Sequence, residues 1–196
     1  MFHQLKPALI LFALLVILTG IFYPLAVTGV AQVAFPNQAN GSLIDQDGTL
    51  VGSALIGQDF SSPQYFWGRP SATAGSPYNA FDPAALTGSS GSNLGPLSQA
   101  LVDVVRERVE AWLAADPGNT ALIPVDLVTA SASGLDAHIS VAAAYYQVPR
   151  VARARGLPEA DIIDLVDQFI ENLTFGFLGE PRVNVLLLNL ALDELK

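Results

Sequence analysis

Few side chains in this 196-residue sequence are equipped for chemistry, and their spacing narrows the choice further. There are two histidines, His3 and His138. His138 follows Asp136 by two residues, which fits either half of an acid–base pair, as in a hydrolase, or a local hydrogen-bonded turn. The sequence favours the turn, with His138 leading into a helix. Asp45 with Asp47, and Asp161 with Asp164, read as a turn and a solvated helix face rather than as catalytic dyads. Cysteine is absent, which excludes disulfides, zinc–thiolate sites, iron–sulfur clusters and thiol catalysis. Lys6 and Lys196 are the only lysines, so the phosphate-cradling G-x-x-x-x-G-K-[ST] motif and the aspartyl-phosphate motif Asp-Lys-Thr-Gly do not occur. The most loop-like glycine cluster is Gly88 to Gly95. Its residues Ser89, Ser90, Gly91, Ser92 and Asn93 offer amides to an anion, such as a nucleotide phosphate, where the loop meets a helix near Pro96. The alternative is that the glycines serve tight turns and close packing. Arg150, Arg153 and Arg155 form a basic cluster that faces a partner's acids or anionic headgroups, or else sits exposed near a helix C-terminus where the dipole favours cations.

The elements that must position these residues can be read from periodicity. Ser42 to Ile44 and Thr49 to Val51 flank Asp47-Gly48 and predict a hairpin, with a loop of the ideal pair or one residue longer. Between Asp59 and Pro96 the composition shifts to Gly, Ser, Pro and Asn, interleaved with Phe60, Tyr65, Phe66, Trp67, Tyr78 and Phe81. The aromatics predict an ordered excursion packed on something, not a disordered linker. From Pro96, Leu97, Leu101, Val104, Val105, Val109 and Trp112 fall at helical spacing, with Ser92 or Asn93 as cap and Asp116-Pro117-Gly118 as stop. Pro124 to Thr129 is a strand candidate. An Ala-rich helix starts at Ser140 and is interrupted at Pro149. Another helix opens at Pro158, and Val183 to Leu190 reads as a buried strand. The order predicts a small α/β or α+β domain spanning 36–196, with the excursion at 59–96.

Charge placement sets the remaining constraint. Only 14% of residues are charged, and the net charge is −9, which excludes a general nucleic-acid binder. Lys6 is the only charged side chain before Asp45. Ala8 to Tyr23 is apolar on every side and the apolar character continues to Phe35, which predicts a transmembrane helix over 7–35. Pro24 is expected to kink or end it. By the positive-inside rule the short 1–6 terminus, with Met1 and Lys6, is cytoplasmic, and the acidic remainder is extracytoplasmic. A signal peptide cut before Gln32 is the rival, but the apolar run exceeds a signal's hydrophobic region. A single helix does not enclose an ion path.

Several strings, in order, resemble one family. They are Tyr23-Pro24, Ala39-Asn40-Gly41-Ser42-Leu43, Val51 to Gln58, and Tyr65-Phe66-Trp67-Gly68-Arg69-Pro70-Ser71. They continue with Tyr78-Asn79, Ser92-Asn93-Leu94-Gly95-Pro96, Val128 to Asp136, Asn184-Val185 and Asn189 to Asp193. Together they resemble the C subunit of the bacterial Kdp-type potassium-transporting P-type ATPase. The resemblance implies a non-catalytic accessory subunit of a high-affinity, ATP-driven potassium import complex in the bacterial plasma membrane. It implies three partners: the P-type ATPase subunit, a channel-like subunit that carries potassium, and a very small membrane subunit. Membrane lipid surrounds the anchor. The implied roles are assembly, support of the outer mouth of the channel-like subunit, and a catalytic-chaperone effect on ATP affinity. The last is tied in the family to the loop at Ser89 to Asn93, where the family has Gly-Gly and this chain has Ser90 at the second position. ATP is therefore the one cofactor the resemblance raises. On this reading Tyr65, Phe66, Trp67 and Arg69 dock onto the channel-like subunit, unless the same aromatics fill the domain's own core. A free-standing membrane-anchored ligand-binding or sensor domain is the alternative function.

Overall fold

The computed structural model describes residues 2–84 and 86–195. Met1, Ala85 and Lys196 lie outside the described residues, and with them the cytoplasmic placement of Met1. The chain separates into two compact units, Met1–Val51 and Gly52–Lys196.

The first unit is dominated by one helix, Leu5–Ala34, with a mean hydropathy of 2.6 and no part of it buried. At 1.5 Å per residue its 30 residues reach about 45 Å, enough to cross a hydrocarbon layer of about 30 Å. It comprises α1 (Leu5–Ile17), a π-helical stretch (Leu18–Phe22) and α2 (Tyr23–Ala34). Pro24 does not end it. The wider π turn lies immediately before the proline, where a tight α turn would press the ring against the carbonyl four residues back. Thr19 Oγ1 donates to Leu15 O at 2.7 Å in the same region. A short α3 (Pro36–Ala39) follows. Then come β1 (Leu43–Gln46) and β2 (Thr49–Ser53), which are hydrogen-bonded neighbours. Their loop is the two-residue Asp47-Gly48, not a longer one. Both residues have positive φ (53° and 80°), and the Gly48 amide donates to Asp45 Oδ1 at 2.8 Å.

The second unit is a small mixed domain of helices and strands. Its irregular first part carries, among the described residues, the two-residue strands β3 (Phe81–Asp82) and β4 (Thr87–Gly88). After it come α4 (Gln99–Ala115), β5 (His138–Ser140), α5 (Val141–Arg155) and α6 (Glu159–Gln168). β6 (Ile170–Glu171), β7 (Arg182–Asn184) and α7 (Val185–Glu194) complete it. β7 is central and antiparallel to both neighbours, pairing Ile139↔Val183 on one side and Ile170↔Val183 on the other. An antiparallel sheet with helices packed on it is the α+β version of the expected fold. Ile139 and Val183 of the sheet meet Val148 and Val151 of α5, Ile162 and Val166 of α6, and Leu188 and Leu192 of α7 in one core.

Four local expectations are corrected. α4 starts after Ser98, so neither Ser92 nor Asn93 caps it, and Leu97 is 98% exposed. Pro124 to Thr129 holds a 3-10 turn (Val125–Leu127), because the Val128 and Thr129 amides both fold back onto Val125 O. Pro149 does not interrupt α5: the buried row Ala144, Val148, Val151 and Ala152 holds the helix on the core through the proline. In Val183 to Leu190, the Asn184 side chain accepts from the Leu187 amide, so the chain turns from strand into α7 after two residues. A short apolar run alone fits a buried strand or a buried helix equally.

Candidate functional site

Tyr65 to Arg69 has no strand partner among the described residues; the Tyr65 amide turns back to Ser62 O, and the next backbone groups are met by side chains. Two buried amides do this. Asn189 on α7 accepts from the Phe66 amide at 2.8 Å and donates to Phe66 O at 2.9 Å. Gln147 on α5 accepts from the Trp67 amide at 2.8 Å and donates to Trp67 O at 3.1 Å. Each amide thus imitates the edge of a neighbouring strand. Phe66 is fully buried in the core. Trp67 lies 4.7 Å from Trp112 between ring centroids.

The three arginines of α5 differ in exposure: Arg150 is buried, Arg155 is half-buried and only Arg153 is exposed. Arg150 is 2% exposed, with its guanidinium 4.1 Å from the Trp67 ring centroid. It donates to Pro63 O (2.5 Å), Tyr65 O (3.1 Å) and Gln147 Oε1 (2.7 Å). Burial pushes its pKa down to about 10; Asp116 opposes that shift, and the guanidinium stays cationic at neutral pH. Arg153 is bonded to the buried Asp116 carboxylate. Arg155 donates to Gln64 O and Leu192 O and pairs with Asp193, which also accepts from the Tyr65 hydroxyl at 3.1 Å. Arg150 and Arg155 therefore brace the Pro63 to Trp67 segment, because carbonyls without a sheet partner need donors that reach far, while Arg153 ties α5 to Asp116 at the end of α4.

Asp136 and His138 sit in a charged row. Arg69 Nη1 pairs with Asp136 Oδ2 at 3.0 Å. The His138 amide donates to Asp136 Oδ1 at 3.0 Å, while its ring stands 3.6 Å from both Asp136 Oδ1 and Glu171 Oε2. Those ring contacts are electrostatic, being too long for good hydrogen bonds. Glu171 is in turn held by Arg182 Nε at 3.0 Å. Burial pushes the Asp136 carboxyl up, but His138 and Arg69 pull it down further, leaving it below the ordinary 3.8. A carboxylate so held is a weak base. The nearest hydroxyl on the same strand is Ser140 Oγ, which donates to Asp126 at 3.1 Å and accepts from the Ala143 amide as the cap of α5. His138 thus opens β5, not a helix. Asp136, His138, Arg182, Asp126 and Glu180 line an open cleft of about 680 Å³.

A second cleft of about 350 Å³ is lined by Phe60, Trp67, Tyr78, Trp112, Arg69 and Arg108. The Tyr78 hydroxyl donates to Arg69 O at 2.5 Å, and burial foremost, then Asp136 and Asp59, raise its pKa. The loop at Ser89 to Asn93 packs against the turn at 131–134. The Ser90 amide and Ser89 Oγ both donate to Ser133 O, and Ser90 Oγ donates to Ala72 O. A Cβ on Gly91 would lie 2.8 Å from Ala132 O, so the glycine there is required by close approach. Asn93 takes a positive φ of 52°. Gly95 to Ser98 separate this loop from the start of α4. Sequence reasoning singled out the Asp136–His138 pair and the aromatic segment, Tyr78 included, but not Gln147, Glu171 or Arg182, and it gave Asn189 no role beyond its place in a family string. The available signal was a polar residue inside an apolar run, as Asn189 is in Val185 to Leu190.

The family model described as K+-transporting ATPase, c chain (KdpC), matches residues 5–194. A protein of Variovorax paradoxus named potassium-transporting ATPase KdpC subunit is 62% identical over 191 residues, covering 97% of this chain and 96% of the relative. One of the same name from Polaromonas naphthalenivorans is 62% identical over 192 residues, covering 98% and 95%. Another, from Methylococcus capsulatus, is 58% identical over 196 residues and covers both chains fully.

Proposed function

This chain belongs to the KdpC family, the c chain of K+-transporting ATPases, and from that premise we propose that it is a non-catalytic, single-pass subunit whose domain stands on the extracytoplasmic side and holds the complex together there. Accessory service to potassium transport follows from the family itself. The finer reading is supported chiefly by one observation: the charged groups with chemical potential are engaged as internal braces. Arg69, Asp136, Glu171 and Arg182 pair in one row, and Arg150, Arg153 and Arg155 tie irregular segments to helices. Such a domain suits a rigid scaffold. The helix Leu5–Ala34 suits an anchor, and Lys6 as its only charged residue orients it. The partners on this reading are the ATP-hydrolysing subunit, the channel-like potassium-carrying subunit and a small membrane subunit. An acidic domain near the outer mouth raises local cation concentration, an effect screened beyond roughly 8–10 Å in physiological salt.

The sequence has no cysteine, so single-cysteine labelling reports topology without background. In the full-length chain in intact spheroplasts, Asp47→Cys is expected to react with a membrane-impermeant maleimide, and Gln4→Cys only after lysis. Labelling of Gln4→Cys alone in intact spheroplasts would invert the orientation and overturn the extracytoplasmic reading.

A further inference from the structure

Ten residues connect β6 to β7, and they form a rigid apolar prong. Phe175 is 84% exposed, Phe177 71% and Leu178 49%. The tip is closed on itself: the Thr174 amide donates to Leu178 O at 2.9 Å and the Leu178 amide to Thr174 O at 3.0 Å. The Gly176 amide donates to Leu173 O at 3.0 Å. Its base is clamped by the β6–β7 pairing and by Glu171–Arg182 at 3.0 Å. Phe175 takes a φ of 56°, a conformation that bulky residues avoid, and Gly176 and Gly179 follow with 79° and 80°. The fold therefore holds two phenylalanines outward in a defined geometry, so little freedom remains to be lost when they are covered.

We infer that this prong is a docking element that inserts into an apolar socket, rimmed by at least one cation, on another subunit of the K+-transporting ATPase assembly. The inference rests on the accessory-subunit reading above. Charge selects the occupant. Residues 170–181 contain Glu171 and Glu180 and no Lys or Arg. Elements that insert into membrane surfaces carry basic residues for the anionic headgroups, and this one carries none. Glu180 is exposed beside the tip and lines the cleft of Asp136 and His138, where Arg69 and Arg182 are paired to Asp136 and Glu171, so the prong and the cleft form one continuous surface whose edge at the tip is acidic. A cationic rim on the partner complements it. A second copy of this chain would join head to tail, prong into cleft, and build open filaments, not a closed assembly.

The test replaces Phe175 with the photo-crosslinking residue p-benzoylphenylalanine in the full-length chain, expressed with the whole complex. A parallel Phe175→Ala/Phe177→Ala chain is purified in detergent. Crosslinking to an apolar segment of another subunit is expected. So is a loss of subunit recovery on the double variant of about tenfold or more, as for truncated interface anchors, with its thermal unfolding unchanged. Crosslinks to lipid or to a second copy would overturn the inference, and so would full subunit recovery on the double variant. If the unaltered chain recovers no other subunit, the accessory-subunit reading itself fails, and the prong with it.

Discussion

Replacing Arg150 by alanine should destabilise the domain by unmaking the brace under Tyr65 to Trp67. The guanidinium serves two backbone carbonyls, Pro63 O and Tyr65 O, and lies over Trp67. Gln147 Oε1 keeps the Trp67 amide when Arg150 is lost, so only the two carbonyls are orphaned. A hydrogen bond from a charged donor contributes about 1.5–3 kcal/mol, and a desolvated cation–π contact about 1–2 kcal/mol. Against this, alanine removes the cost of burying a guanidinium, the cost that lowers its pKa to about 10. The net expectation is a loss of about 3 kcal/mol, or a drop in Tm of roughly 6–12 °C for a domain of this size. Arg150→Lys keeps the charge but not the planar fork, and should fall about halfway. The only two tryptophans, Trp67 and Trp112, both lie beside this guanidinium, so intrinsic fluorescence of the full-length chain in detergent reports the site itself. A Tm within about 2 °C of the unaltered chain, with unchanged emission, would refute the bracing role.

Three further outcomes follow from the same geometry. A Cβ at Gly57 would meet Asp136 O at 2.5 Å and Tyr78 Cε1 at 2.4 Å, so Gly57→Ala should cost about 1–3 kcal/mol in denaturant unfolding. The Asp136 carboxyl is held below its ordinary 3.8, so it stabilises the fold above that pH, and its contribution is lost as pH falls through the depressed folded value. The stability gap between the unaltered chain and Asp136→Asn should therefore be full at pH 6 and shrink in a titration below about pH 4. The Tyr78 phenol is raised above its ordinary 10.0, so its contribution is present below that value and lost as pH climbs above it. Ultraviolet titration should show phenol ionisation delayed until alkaline unfolding, and Tyr78→Phe should lower the amplitude of that delayed step.

Legibility in the sequence depended on how local each signal was. The helix Leu5–Ala34 was readable because every face is apolar, and the hairpin because Asp47-Gly48 suits a turn with two positive φ values. The length of α7 was not readable, since a run such as Val185 to Leu190 fits a buried strand until Asn184 is seen to cap it. The Asp136–His138 pair was visible as neighbours. Their partner Arg69 lies 67 residues from Asp136, and nothing local marks the pairing. The arginines of α5 misled for the same reason. Read along the chain they are a cation cluster near a helix end, and in the fold Arg150 and Arg155 donate to carbonyls more than 80 residues away, while Arg153 pairs with Asp116.

The central claim is that this chain serves potassium transport as a subunit that holds its complex together. It is tested most directly by purifying the complex through a tag on another subunit, with and without this chain, and measuring potassium-stimulated ATP hydrolysis. The account predicts that without this chain the subunits separate and the stimulated activity is lost, and that adding back the full-length chain restores both. An intact complex with undiminished potassium-stimulated hydrolysis in its absence would contradict it.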